Sequence, residues 1–256
     1  MRVGWVTHQL PDGTTSRGRG LLQGRYAGGA EMSTEEMLAA APDDVEVTVI
    51  APDAPEAAVA GFDRVVVGAT ERLSPALTAA LRASEPILWL RSPQPATLRP
   101  LFEAARLVIW PSRTCAEWHP WWQGPYEVCP APMDPDCVFP AEKEGFALWA
   151  GRDHPQKGRV EARMWAHARQ IPLVELTDAP RDQVLEVMSR ATFFVHLPQG
   201  IVDPCPRTLI EAELAGCQVV TNRLAGRVEV AGQGPDVVRE HIRQVPATFW
   251  GWVRDR

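Results

Sequence analysis

Long apolar runs are the first thing this chain lacks. No stretch approaches the roughly 18 consecutive apolar residues of a membrane-spanning helix. The opening MRVGWVTHQLPDG carries no apolar segment of signal-peptide length and reads instead as a first strand. No transmembrane segment is therefore expected. An excess of positive charge is also missing. Lys and Arg number 26 against 32 Asp and Glu, for a net charge of −6. That removes any global pull toward nucleic acid or an anionic membrane and leaves only local basic patches. The five cysteines (Cys115, Cys129, Cys137, Cys205 and Cys217) are odd in number and include no CxxC pair. Such spacing argues against a disulfide framework and a structural zinc site, and the expectation is reduced thiols in a cytoplasmic protein. Internal repeats and low-complexity segments are absent too.

What is present is an ordinary globular balance, 45% hydrophobic and 23% charged over 256 residues, enough for two small domains. Prolines (24) fall mostly between apolar runs, as in strand-to-helix loops. Tryptophans (10) cluster at Trp118, Trp121 and Trp122 and again at Trp250 and Trp252. Core and interface packing is one reading of them, and a stacking surface for a sugar or base is the other.

Short apolar runs alternate with helical patterns. Strands are expected at 2–7, 45–52, 63–68, 86–90 and 107–112, with helices at 30–42, 74–84 and 100–106. The helix at 74–84 opens on Ser74 as N-cap with Pro75 after it. A connector rich in proline and tryptophan follows, to about 140. The rhythm then restarts: strands at 146–151, 172–177, 192–198 and 217–223, helices at 158–170, 181–191, 207–216 and 236–245. Alternation of this kind implies α/β architecture with parallel sheets. Its two occurrences imply two Rossmann-like domains, residues 1–140 and 141–234, with a closing helix over about 235–256 that packs back on the first. Ligands of such sheets sit beyond the carboxyl ends of the strands, and the cleft between two such domains is the expected site.

Two stretches carry chemistry. In ALWAGRDHPQKG (147–158) a strand ends at a glycine, and Arg152 and Lys157 follow. A guanidinium that forks onto phosphate oxygens and an ammonium point charge together suit a diphosphate; a solvated, ordinarily charged loop is the alternative. In DPCPRTLIEAELAGCQVV (203–220) the prolines forbid helix before Arg207. The helix that follows turns its first amides, near Thr208 and Leu209, toward any bound anion. Asp203 precedes that helix and Glu211 lies inside it, where it can accept from a ribose diol or simply complement the helix dipole.

Taken together, these stretches resemble the donor-binding domain of the GT-B glycosyltransferases, especially the retaining family 4. GRDHPQKG (151–158) resembles the family's G-R-x(4)-K-G stretch, and DPCPRTLIE (203–211) its spaced acidic pair, with Asp203 in place of glutamate. EAELAGCQVV (211–220) is similar to the stretch that follows, with Gln218 where proline is commoner. In the first half, GGAE (28–31), IWPSRTCAEW (109–118) and PAPMDPDCVFP (130–140) resemble family segments in the family's order. LWLRSPQP (88–95) offers Arg91 where family enzymes often carry a histidine.

The resemblance implies a GT-B fold and a metal-independent glycosyltransferase with no cofactor, using a nucleotide-diphosphate sugar and retaining configuration. Arg152 and Lys157 then hold the diphosphate, Asp203 meets the transferred sugar, and Gly29, Thr208, Leu209 and Glu211 bind the donor. The acceptor (a small molecule, a saccharide or a lipid) is not identified. On its side stand His8, Arg17, Arg19, Arg25, Arg91 and His119, several of them in the glycine-rich segment 7–30. A variant makes DNA the acceptor, with a hydroxylated base flipped from the stack and held. A further alternative is a non-catalytic nucleotide-sugar-binding protein.

Overall fold

The alternating apolar runs become parallel strands in the computed structural model, which describes residues 1–7, 29–68, 73–91 and 98–256. His8, Arg17, Arg19 and Arg25 lie outside the described residues. The first sheet contains β1 (Arg2–Val6), β2 (Glu46–Ile50), β3 (Arg64–Val67), β4 (Ile87–Trp89), β5 (Leu107–Trp110) and β6 (Tyr126–Val128), in the order β2-β1-β3-β4-β5-β6. Every pairing is parallel. Its helices are α1 (Gly29–Ala39), α2 (Pro75–Ala83) and α3 (Arg99–Phe102), and α4 (Arg113–Glu117) follows β5 in the chain. The second sheet contains β7 (Ala147–Gly151), β8 (Leu173–Thr177), β9 (Phe193–His196) and β10 (Gln218–Thr221), in the order β10-β9-β7-β8, again all parallel. Its helices are α5 (Arg159–Arg169), α6 (Arg181–Arg190) and α7 (Arg207–Leu214), and α8 (Pro235–Asp255) ends the chain.

The chain divides into two compact units. One comprises Met1–Pro111, His119–Met133 and Gln244–Arg256; the other comprises Ser112–Trp118 and Asp134–Arg243. β4 and β5 are buried throughout, as expected of apolar strands covered on both faces. The core of the first unit is aromatic. Trp5 meets Trp89 edge-on at 5.2 Å, Phe249 lies 5.6 Å from Trp5 and 5.5 Å from Trp89, and Trp250 donates its indole N–H to the Met37 carbonyl at 3.0 Å. The last turns of α8 are therefore part of that core. They form despite Pro246 inside the helix, because a proline gives up only one ladder bond while Val245, Phe249, Trp250 and Val253 are all buried.

Ser74 caps α2 as its sequence predicts, accepting from the Leu77 amide at 3.1 Å. Three features depart from expectation. The connector contains α4, capped by the Ser112 hydroxyl at 3.1 Å from the Cys115 amide, and the edge strand β6. The helix expected over 100–106 is a single turn, α3, continued by tighter turns from Ala104 to Leu101 and from Ala105 to Phe102. Elements of three to five residues carry too few repeats for periodicity to reveal them. The five thiols are free, and among the described residues no helix is long and apolar enough to cross a membrane.

In the second unit the core is built on Trp149, Ala147, Ala162 and Val195. The chain runs from β7 through α5 to β8 on one side, then returns through α6 to β9 on the other side of β7. β7 and β9 are neighbours whose onward connections lead in opposite directions. That is the topological switch point, beyond whose carboxyl end ligands bind in open α/β sheets. The loops there are held against each other. Gly158 starts α5 in the left-handed region at φ +71°, and a Cβ on it would overlap the Leu197 carbonyl of the loop after β9. Gln199 donates its amide to the Gln156 carbonyl at 3.0 Å across the same gap. Gly158→Ala combines an unfavourable φ with a backbone clash. It should lower unfolding free energy by more than about 1 kcal/mol in urea denaturation, the loss appearing in the transition midpoint rather than in its slope.

Candidate functional site

β7 ends at Gly151, and its loop begins with Arg152, which is exposed. A turn over Pro155–Lys157 closes the loop, with the Lys157 amide on the His154 carbonyl at 2.9 Å. Beneath it, Trp149 donates its indole N–H to the Lys157 carbonyl at 3.1 Å. A buried tryptophan of the strand thus fixes the backbone that carries the lysine. Lys157 then reaches across the switch point: its Nζ lies 2.6 Å from Asp203 Oδ2.

Asp203 is held from every direction. Its amide donates to the Leu224 carbonyl at 2.8 Å, and its own carbonyl accepts from the Gly226 amide at 2.8 Å. The next residue, Pro204, accepts from the Ser112 hydroxyl. A Cβ at Gly226 would overlap the Pro204 carbonyl oxygen, so only glycine allows the two backbones this approach. His196, the last residue of β9, places Nε2 3.0 Å from the same Asp203 Oδ2. The ring is buried, and Nδ1 has no hydrogen-bond partner among the described residues.

These contacts set the charge state of Asp203. Burial pushes its carboxyl upward, but the His196 hydrogen bond and the Lys157 charge more than reverse it and hold the pKa down at about 2. An ionised carboxylate only accepts, so the His196 nitrogen facing it carries the proton. Both partners use Oδ2; Oδ1 takes neither of them.

The remaining expected residues fall as follows. α7 begins at Arg207 behind Pro206, and the Leu209 amide donates to the Pro206 carbonyl at 3.0 Å in a tightened first turn. The amides of Arg207 and Thr208 precede it, among the first donors that a helix leaves without an intrahelical acceptor. Glu211 is buried, and its Oε1 accepts from Arg181 Nε at 2.9 Å, so the first turn of α6 meets the first turns of α7. Gly29 is the first residue of α1. Arg91 stacks over Trp89 at 5.1 Å and donates to the Ser33 hydroxyl at 3.1 Å. His119 is buried, stacked on Trp110 at 4.7 Å and edge-on to Trp121. Trp118 and Trp121 are exposed, whereas Trp250 is wholly buried.

Sequence reasoning passed over His196 and Arg181. The signal for His196 was a polar residue closing an otherwise apolar strand, TFFVHLP, seven positions before Asp203. For Arg181 it was a cation immediately after the proline that starts α6. Chemically, the cluster offers a lysine beside a carboxylate ionised at neutral pH, an arginine in the same loop, and helix amides at the end of the neighbouring strand's loop. Among the described residues no group of three His, Cys, Asp or Glu side chains is placed to hold a metal ion.

No family model and no curated protein matches the chain in sequence. Solved structures do match it in fold. AviGT4, a glycosyltransferase involved in avilamycin A biosynthesis, aligns over 99% of this chain and 94% of its own at 16% identity, with a TM-score of 0.54. A sucrose-phosphate synthase from Thermosynechococcus elongatus aligns over 99% and 91% at 13% identity, TM-score 0.53. An α-glucosyltransferase in complex with UDP and a 13-mer DNA containing a HMU base aligns over 99% and 92% at 12% identity, TM-score 0.52. The two parallel sheets of this chain are those of the GT-B glycosyltransferase fold.

Proposed function

We propose that the chain is a glycosyltransferase that moves a sugar from a nucleotide-diphosphate donor to an acceptor hydroxyl, with retention of configuration. One observation carries the reading: Lys157 and Asp203, from the loops after β7 and β9, meet at 2.6 Å across the switch point of the second sheet. Ligands of this fold class bind at that place. The motif resemblance supports the roles, and the fold likeness to glycosyltransferases supports the class.

In this reading the anomeric C–O bond to the diphosphate breaks, and the nucleoside diphosphate leaves with the bonding pair. Arg152, Lys157 and the first amides of α7 neutralise the charge that builds on the leaving group. The α7 amides are fixed in advance and so act without reorganisation, while the two side chains turn toward the leaving group as the donor binds. The chain's own cations carry this charge, so the reading requires no metal ion and no cofactor. Asp203 Oδ1 accepts from a hydroxyl of the transferred sugar, and Glu211 accepts from the ribose while Arg181 holds its other side. The acceptor hydroxyl bonds to the anomeric carbon and passes its proton to the departing diphosphate oxygen. The five free thiols support a reducing, cytoplasmic setting.

A second reading makes a base in DNA the acceptor. The segment with Arg17, Arg19 and Arg25 favours it, as does the DNA-bound α-glucosyltransferase among the structures of like fold. Replacing the three arginines together should weaken a low-salt gel shift on duplex DNA and flatten its salt dependence. A chain that shifts no DNA at low salt disposes of this acceptor.

The class itself is tested by thermal shift with UDP-glucose, UDP-galactose, UDP-N-acetylglucosamine, GDP-mannose and dTDP-glucose. The true donor should raise the melting temperature, since it binds only the folded chain. With that donor, Arg152→Ala and Lys157→Ala should each lose on the order of 3 kcal/mol of transition-state stabilisation, roughly a hundredfold in turnover. The unfolding free energy of Arg152→Ala should move far less, whereas Lys157→Ala also takes from Asp203 one of its two side-chain donors. No shift with any donor, or undiminished turnover in both variants, defeats the assignment.

Asp203 also dictates a pH dependence. Its pKa in the folded chain is about 2 against an ordinary 3.8. A depressed carboxylate stabilises the fold above its ordinary value and loses that contribution as pH falls through the folded value. The stability advantage of the native chain over Asp203→Asn, on the order of 2 kcal/mol near neutrality, should therefore shrink as pH falls from about 4 to about 2. Urea titrations along that range measure it; a gap that persists undiminished at the acid end contradicts the ion pairing.

A further inference from the structure

Lys157 faces two demands. In the structure its ammonium sits on Asp203 Oδ2 at 2.6 Å. The proposed chemistry needs the same ammonium on the donor's diphosphate. The Asp203 side chain is only 12% exposed, and a buried carboxylate stripped of its partner carries a large desolvation penalty. If Lys157 turns toward the donor, another group must stay on Asp203 or the carboxylate will swing or take up a proton.

We propose that His196 is that group: a positioning residue that keeps Asp203 ionised and aimed while Lys157 passes from the carboxylate to the diphosphate. The inference rests on the donor-binding reading above. Three observations carry it. His196 Nε2 lies 3.0 Å from the same oxygen that Lys157 uses, so its bond survives the departure of the lysine. The ring cannot follow the lysine out. It is 3% exposed and belongs to β9, whose residue His196 is paired with Thr221 of β10. The exposures differ in the sense required, since the Lys157 side chain is 36% exposed and open to a ligand, whereas the histidine is enclosed. With Oδ2 held from the strand side, Oδ1 remains for the sugar.

His196 thus acts through Asp203 and touches neither donor nor acceptor. The groups facing it are Asp203, from the loop after β9, and Lys157, which shares the same oxygen from the loop after β7. Its Nδ1, buried and without a hydrogen-bond partner among the described residues, leaves Nε2 as the nitrogen that makes the contact.

The test compares His196→Leu, which removes the N–H at similar bulk, with His196→Gln, which keeps an amide N–H at comparable reach. The ligands are whichever of the five nucleotide sugars above stabilises the native chain most, and the corresponding nucleoside diphosphate without sugar. In His196→Leu, slow hydrolysis of the nucleotide sugar should fall about tenfold, the size of one lost hydrogen bond to a charged group. Affinity for the nucleoside diphosphate should fall as well, several-fold by calorimetry, because Lys157 can then reach it only by stripping Asp203 of its last side-chain donor. His196→Gln should recover most of the loss. A second readout needs no ligand. In a double-mutant cycle on unfolding, His196→Leu should cost more in the Lys157→Ala background than in the native one, because the two residues hold the same oxygen.

If His196→Leu leaves nucleoside diphosphate affinity unchanged, or Gln fails to restore hydrolysis, or the two stability losses are additive, the positioning role is wrong although the donor reading stands. If no nucleotide sugar binds the native chain, the donor reading fails and the role of His196 fails with it. Should His196→Leu not fold, His196→Asn, whose shorter amide stops short of Oδ2, takes its place with the same expectations.

Discussion

A buried carboxylate that must remain charged is the constraint around which the second unit is arranged. The Asp203 side chain is largely removed from water, and an isolated ion there would be driven toward neutrality. Two donors from different strands prevent that, with Lys157 from the loop after β7 and His196 from the end of β9. Each depends on a more distant element. The lysine needs the Trp149 indole under its backbone, and the histidine needs the register that pairs β9 with β10. Sheet order, strand register and the charge state of one side chain are therefore a single problem.

The backbone solves the other half of it. A lysine and a histidine can share one oxygen only if the chain around residue 203 is fixed to within a few tenths of an ångström. The Leu224 carbonyl and Gly226 amide grip Asp203 front and back, and Ser112 grips Pro204. Ser112 at the same time caps α4, so one hydroxyl serves a helix terminus and the loop beside the site. Gly158 and Gly226 are where the loops come closest, and both positions exclude a Cβ. This explains why glycine follows the lysine in QKG and precedes the arginine in AGR: both are steric requirements of the same clamp.

Much of this was legible before any coordinates. Apolar alternation marks nine of the ten strands that the described residues form, because buried parallel strands read as continuous apolar runs. β6 escaped because three residues at a sheet edge leave no period to detect, and α4 because five residues make barely one turn. Lys157 stood out through its position after a strand and Asp203 through its position before a helix, and the structure joins them. His196 and Arg181 did not stand out, and the reason is physical. A histidine at the end of an apolar strand and an arginine at the start of a helix each look like ordinary solvated residues until the fold supplies their partners. Partnership at a distance of seven residues across a loop, or of thirty between two helices, leaves no local pattern. His119 did stand out, as an acceptor-side candidate, and in the fold it is a buried ring stacked on Trp110.

Aspartate at 203, where the resembling family has glutamate, now has a structural account. The shorter side chain loses one methylene of reach and one of three side-chain torsions. Lost reach must be made up by bringing the backbone nearer, and the clamp by Leu224, Gly226 and Ser112 sets where that backbone lies. Lost freedom is an advantage once two donors must meet one oxygen, since each extra torsion adds entropy that the pair of contacts would have to overcome. A glutamate on the same backbone would carry its carboxylate past the histidine, which β9 holds in place, and would have to fold back to regain it. The acid's length and the rigidity of its backbone are thus matched to the fixed position of His196, and a change to either leaves the other without a purpose.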